Sequence, residues 1–549
     1  NALQLKAQGN VNAQGADIYL TSPETDINLG NINASNNISI KTETNNSNIN
    51  INGTIQGNNV TLDANNNISQ TSQEKTITAS NDLNLISRNG NIGTTDNAII
   101  FEAGTITAEA LNGSVVLNGI DTTINTGSIK AGSNIDLSTT GSGDINVDEA
   151  INANGYIALN AADNLNVNQG ITSSDTITLA AADNVNVNST VQSQNDLSVN
   201  TQGGDISLGA LLESTTGTVE LNSGGNISQT FDGKAVQAAN GITIDAVGDI
   251  ASAGNELQLN TSGVLNADAS NIYIKNNEGG LNIGLVDAEN NIKLSAAGNI
   301  TSASSSSSVN AGGNIDLNAA DGYNIGTSSS DSLKVNADGV VNAKADNIYL
   351  SSDNNLNTGI ITAASVADIR TTGTDKNINI TDLIKASDVY LEASGSVLQN
   401  SVLAKTIETN NLTLIANNGS IGATGNAIDF SATGLLRADA SEAVVLNGVG
   451  RDIDTSSINA GTSIDLSTEG SGKIIVSSNL TANNGYISLN AADGLDLKNY
   501  YLTASDYINL VAQSGDILLN SMLNAGTYIT IDSAGDILQS MDTVTLTAG

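Results

Sequence analysis

The stretch GYIALNAADNLNVNQGITSSDTITLAAADNVNVNSTVQSQNDLSVN, Gly155 to Asn200, nearly repeats itself. Ala161-Ala162-Asp163-Asn164-Leu165-Asn166-Val167-Asn168 returns as Ala181-Ala182-Asp183-Asn184-Val185-Asn186-Val187-Asn188, a shift of 184 − 164 = 20 residues. A fixed period of that length points to a stacked repeat architecture. Within one period the aliphatic residues are Ile157 and Leu159, then Leu165 and Val167, then Ile171; one period on they are Ile177 and Leu179, Val185 and Val187, and Val191. Alternation places these side chains on one face of short strands and the intervening Asn, Thr and Ser on the other. Asn, Asp and Gly fill the gaps, as tight corners require. Three short strands and three corners in about 20 residues make one coil of a parallel β-helix, hydrogen-bonded to the coils above and below at about 4.8 Å. The expected fold class is therefore all-β, a solenoid with coils of about 20–22 residues and three strands per coil.

One coil points about five aliphatic side chains inward, each worth roughly 1.5–3 kcal/mol when buried. Ordering about twenty residues costs roughly 1–2 kcal/mol apiece. A single coil does not hold itself, so the chain must be long enough for stacking to supply the difference.

The 549 residues include 56 acidic and 18 basic ones, a formal charge of −38. Such acidity opposes binding to nucleic-acid phosphate and to anionic lipid, and no gel shift with DNA is expected at physiological salt. There is no Cys, Trp or His, and Pro23 is the single proline. A disulfide framework and Cys- or His-based metal sites are thereby excluded. No apolar run reaches the length of a membrane helix, so no membrane insertion is expected. Abundant Asn, Ser, Thr and Gly raise the possibility of disorder, which the regular aliphatic positions oppose. Strand alternation is already present at Leu3 and Leu5 and persists at Val544 and Leu546, as in a segment of something longer.

Along the chain a corner-plus-strand signature recurs: Gly90-Asn91-Ile92, Gly143-Asp144-Ile145, Gly204-Asp205-Ile206, Gly225-Asn226-Ile227, Gly248-Asp249-Ile250, Gly298-Asn299-Ile300, Gly313-Asn314-Ile315, Gly515-Asp516-Ile517 and Gly535-Asp536-Ile537. Gly is expected to supply positive φ there and Asn or Asp to bond the turn. A longer period overlies the first. Leu83-Asn84-Leu85-Ile86 matches Leu412-Thr413-Leu414-Ile415, and Val115-Val116-Leu117-Asn118-Gly119 matches Val444-Val445-Leu446-Asn447-Gly448, each at a shift of 329. Asn154-Gly155-Tyr156-Ile157 matches Asn484-Gly485-Tyr486-Ile487 at 330. Residues 1–549 thus read as one continuous β-helix, with one large unit over 1–330 and a partial second over 331–549. The serine run Ser304 to Ser308 reads as a polar loop bulging from a corner.

The Gly-Asn-Ile signature within Asn/Gly-rich repeats of about 20 residues resembles the filamentous haemagglutinin type of exoprotein, over essentially the whole chain. Proteins of that type leave Gram-negative bacteria by two-partner secretion. The family's amino-terminal secretion domain is not in this sequence, so an outer-membrane secretion partner is implied by the resemblance alone. The resemblance further implies a right-handed β-helix, displayed extracellularly on the cell surface as a filament. Its work would be adhesion to a host or neighbouring cell surface or glycan, or the carrying of a distal toxin.

Catalytic, cofactor and metal sites are not expected. Ser-His-Asp and Cys-His arrangements lack their residues. Paired carboxylates remain open for a carbohydrate-active β-helix enzyme, which an Arg beside clustered acids in one groove would favour. The four arginines Arg88, Arg370, Arg437 and Arg451 stand far apart in sequence, and Asp144 is replaced by Lys473 across the long period. Neither a β-roll calcium loop nor an EF-hand loop is present, and scattered corner Asp reads as turn chemistry. Asn-x-Ser/Thr triplets such as Asn52-Gly53-Thr54 arise by composition. Tyr19, Tyr273, Tyr349 and Tyr390 each lie between two inward aliphatics and so face outward, to stack on a partner or to lie under a loop. Thr176 and Thr178 hint at an ice-binding array, but Asn186 and Asn188 do not continue it. Val167 should stack on Val187, with Val147 on the other side. The exposed ends of the coil stack should associate end to end into filaments, helped by salt.

Overall fold

The computed structural model describes residues 2–540 and 544–549. Among them the regular structure is entirely β-strand, with no helix, arranged as about 26 turns of a parallel solenoid with three strands per coil. The chain divides into two compact units, Asn1–Lys275 and Asn276–Gly549, a different division from that of the long sequence period.

In the first unit the strand Ile157–Ala161 pairs in parallel with Ile177–Ala181, and that with Leu197–Thr201, so that Ile157, Ile177 and Leu197 share one inward position. Val147, Val167, Val187 and Leu208 form a second buried column, and Ile151, Ile171, Val191 and Leu212 a third. The third strand also turns a hydroxyl inward. Ser173, Ser193 and Ser214 are buried, and their Oγ atoms donate to the carbonyls of Gly155, Asn195 and Asn195 at 2.6, 2.7 and 2.6 Å. These bonds satisfy corner groups that would otherwise be orphaned in the core.

On the outward face of the strands, asparagine does more than turn corners. Asn146 Nδ2 donates to Asn125 Oδ1, Asn166 to Asn146 and Asn186 to Asn166, each at 2.8 Å. A parallel ladder at the corner runs Asp144, Asn164, Asn184. Stacking identical amides one coil apart lets every side chain both donate and accept along the axis, which is why the outward positions favour Asn.

The glycines of the corner signature act differently from expectation. Of the nine named above only Gly143 has positive φ, +124°. The others are required by crowding: a Cβ on Gly204 would lie 2.5 Å from the carbonyl carbon of Asp183 one coil below. Gly143 meets both constraints, and so does its counterpart in the second unit, Gly472 at φ +132°. Their carbonyls accept from Thr139 Oγ1 and Thr468 Oγ1, each at 2.8 Å.

In the second unit Val444, Ile464, Ile487, Ile508 and Ile529 share a column. Coil length is looser than the quoted stretch implies: Leu3 pairs with Leu20, 17 residues on, and Ile315 with Val341, 26 residues on. Corners absorb the difference. Between Val340–Ser352 and Leu356–Thr371, the two longest strands, corners flatten into register shifts at Val341/Ala343 and Ala345/Asn347, which bend the sheet locally. The serine run is a turn only in part: Ser304, Ser305 and Ser306 are exposed, whereas Ser307 and Ser308 are buried and Ser308 opens the strand Ser308–Ala311.

Candidate functional site

Four short hairpins interrupt the coils, closed by antiparallel bridges Thr94–Asn97 and Ser252–Asn255 in the first unit and Ser328–Asp331 and Ala423–Asn426 in the second. Each follows a core isoleucine and opens on a left-handed residue: Gly93, Ala251, Gly326 and Gly422, with φ between +59° and +70°. The next coil presents Val116, Tyr273, Tyr349 or Val445 outward beside the hairpin, with its amide bonded to the carbonyl of that isoleucine. A Cβ on Gly326 would lie 2.9 Å from Tyr349 Cβ. Tyr273 and Tyr349 are accordingly half-buried, and Val116 and Val445 are buried on the outer face of the sheet. Of the four outward tyrosines, Tyr19 is exposed and Tyr390 belongs to a charged cluster.

A buried glutamine holds three of these hairpins. Gln70 Oε1 accepts from Ile100 N at 2.9 Å, Gln229 Oε1 from Gln258 N at 2.9 Å and Gln399 Oε1 from Asp429 N at 2.8 Å, about thirty residues on in each case. The sequence signals were Gln in place of the second inward aliphatic of a short strand and Ile-Gly/Ala before the hairpin, both passed over because each recurs at an interval longer than one coil.

Arg370 stands among acids. It donates from Nε and an Nη atom to both oxygens of Asp368 at 2.7 and 2.9 Å, and from its other Nη to Glu392 at 2.7 Å. Its guanidinium carbon lies 4.4 Å over the Tyr390 ring, and Tyr390 Oη donates to Glu392 at 2.8 Å. The guanidinium is thus bonded at Nε and both Nη atoms and covered on one face, and both carboxylates are held as ion-pair partners. Burial, with the Glu392 hydrogen bond, pushes the Tyr390 phenol up to about 12. Its folded pKa lies above the ordinary 10.0. The stability it contributes is therefore complete below pH 10 and lost as pH rises from 10 to 12. In an ultraviolet tyrosinate titration, Tyr390→Phe should remove the last phenol to ionise; a titration curve unchanged at its alkaline end would refute the assignment.

The remaining arginines take no part in such a cluster: Arg88 donates to Asp63 at 2.7 Å, and Arg437 and Arg451 are exposed. The threonine reading changes its comparison: Thr178 pairs with Ala158 and Ser198, not with Asn186 or Asn188. These neighbours do not continue a threonine array.

Three surface features of the second unit were not read from the sequence. Tyr486, Tyr507 and Tyr528 stack in successive coils, with centroids 4.8 and 5.1 Å apart and planes within 3° of parallel. Burial raises the Tyr486 and Tyr507 phenols. Burial also raises the carboxyl of Asp465, which lines a cavity of about 380 Å³ near the Ala423–Asn426 hairpin. The larger concavity, about 500 Å³, crosses the flattened corners and is lined by Asp321, Lys344, Thr362, Lys385, Ser387 and Glu408 among others. Its floor is the buried alanines Ala345, Ala363 and Ala386. No group of three or more metal-ligating side chains is assembled among the described residues.

Fold and surface together define a parallel β-solenoid repeat protein. Compared with known proteins, the chain matches no family model, no curated protein and no solved structure.

Proposed function

We propose that the chain is the repetitive shaft of a secreted, cell-surface filamentous adhesin, without catalytic activity of its own, that holds a binding region away from the cell. The observation that supports this most is the regular stack of coils, in which most strands of one coil pair in parallel with a strand of the next. Such a stack adds length at constant width and needs no partner for stability beyond its own neighbours. Its acidic surface suits an extracellular polymer that must not coat itself onto nucleic acid or anionic membrane. The Gly-Asn-Ile repeats support export through an outer-membrane partner. A shaft for contact-dependent toxin delivery is the second form of the same reading, and the coil stack serves it equally.

Immunogold labelling with antibody raised against this chain should decorate projections on intact cells that make it. Deletion of its coding segment should lower attachment to surfaces or other cells several-fold. Loss of neighbour killing with attachment intact would select the toxin-delivery form; label confined to the cell interior would sink both.

A further inference from the structure

We propose that the groove crossing the flattened corners of the second unit is a docking site for an extended acidic peptide segment of a partner protein. The inference goes beyond the shaft reading and stands whether or not the chain is displayed on a surface.

The groove begins with small side chains. Ala345, Ala363 and Ala386 occupy its floor in successive coils, leaving a trough of about 500 Å³. The register Lys344–Thr362–Lys385 places two ammonium groups on one face, two coils apart. Two coil spacings amount to about 10 Å, close to one three-residue turn of a peptide in the extended polyproline II form, whose residues three apart share a face. Glu408 follows Lys385 in the same column.

The charges that line the groove, Lys344 and Lys385 against Asp321 and Glu408, balance only through solvated or shared pairs. Lys344 pairs with Asp321 at 3.7 Å, but Asp321 is 97% exposed, and a pair so solvated is easily exchanged. Lys385 and Lys405 share the single carboxylate of Glu408, at 3.2 and 2.7 Å. Lys405, beside the groove and outside its lining, thus adds a third ammonium group to the two carboxylates that Lys344 and Lys385 rely on.

The fold does not need these lysines. In the first unit the corresponding column reads Gln14–Asn33–Gln56, then Thr78, and forms the same parallel pairs. A second difference lies beside the first. The loop ending at Lys405 exposes Val402 completely and Leu403 in part, where the matching loop ending at Lys75 carries Gln73 and Glu74. Exposed Val and Leu at a loop tip contribute nothing to the stack and offer an apolar contact to a partner.

Acidic side chains at three-residue spacing, with apolar residues between them, match lysines two coils apart and the adjoining tip. Ser387 and Thr362 supply polar edges. The lining holds no aromatic ring, the platform on which sugars stack, which favours peptide over glycan.

The test uses the whole chain and a fluorescein-labelled peptide of about twelve residues, with glutamates three apart and leucines between them. Anisotropy should show saturable binding that weakens with salt. Lys344→Gln with Lys385→Gln, the residues of the first unit, should weaken it about tenfold or more, with circular dichroism and melting unchanged. Val402→Gln with Leu403→Glu should also weaken it, and Glu408→Gln should tighten it. Lys473→Gln, which does not line the groove, should leave it alone. Absence of saturable binding at low salt, or equal binding by the double lysine variant, overturns the proposal. So does preference for a uronate oligosaccharide whose binding those same lysine substitutions abolish.

Discussion

Val167→Asp is expected to lower stability by several kcal/mol, the largest effect of any single exposed-to-core charge considered for this chain. Val167 is fully buried between Val147 and Val187, which occupy the same inward position one coil to either side. No cation lines that column, so a carboxylate there would lose its hydration without a partner. The variant carboxyl would escape by keeping its proton, with its pKa raised by desolvation. Its penalty should therefore be smaller in acid than at neutral pH, since stability falls as pH rises toward and through that raised pKa. Because a solenoid is held by neighbour contacts, the damage should be local first. Hydrogen exchange should lose protection in the coils containing Val147, Val167 and Val187 before the melting transition of the rest moves. Val167→Ile, which keeps the column apolar, should cost far less. A Val167→Asp chain that melts and exchanges like its parent would place the side chain outside the stack.

That prediction could be written from sequence because the inward columns are set by local alternation. Ile157, Leu165, Val167 and Ile171 each recur in the next coil at the same spacing, and the structure pairs them with those counterparts. Corners were legible as corners but not in mechanism. Gly204 is a glycine because the coil below occupies the space of its Cβ, a contact between residues twenty-one apart that no local turn rule contains. The asparagine ladder from Asn125 to Asn186 was hidden in the same way, since each amide is satisfied by the next coil and not by its own turn. The groove was less legible still. It arises where corners flatten between Val340 and Thr371, and its lysines are separated in sequence by forty-one residues (385 − 344 = 41). Only the register brings Lys344 and Lys385 onto one face. The tyrosine stack needed the same information, because Tyr486, Tyr507 and Tyr528 lie at corners where alternation assigns no face.

Gln399→Leu should carry the second-largest cost, about 1–3 kcal/mol, for a reason opposite to that of the buried charge: it removes a polar group the core requires. Gln399 is almost fully buried as the second inward residue of the strand that begins at Val397. Its Oε1 accepts from Thr406 Oγ1 and from Asp429 N, both at 2.8 Å, and its Nε2 donates to Asp429 Oδ2 at 2.7 Å. Leucine fills a similar volume but offers no acceptor. The Thr406 hydroxyl would keep its bond to the Asp429 carbonyl, at 3.0 Å, whereas the Asp429 amide would be left without a partner beneath the hairpin. The orphaned amide accounts for the cost and lies three residues beyond the hairpin Ala423–Asn426, which should loosen with it even though Asn426 Nδ2 keeps its bond to the Gln399 backbone carbonyl at 2.7 Å. Exchange at the Asp429 amide should accelerate in proportion to the destabilisation. Gln70→Leu should behave alike in the first unit, where Gln70 accepts from Thr76 Oγ1 at 2.6 Å and Ile100 N at 2.9 Å. Gln169→Leu is the control: that side chain is exposed and away from the hairpins, and its loss should shift stability by no more than about 0.5 kcal/mol. If Gln70→Leu and Gln399→Leu are as mild as Gln169→Leu, and Asp429 exchanges at the parent rate, the glutamines do not hold the hairpins and their recurrence needs another cause.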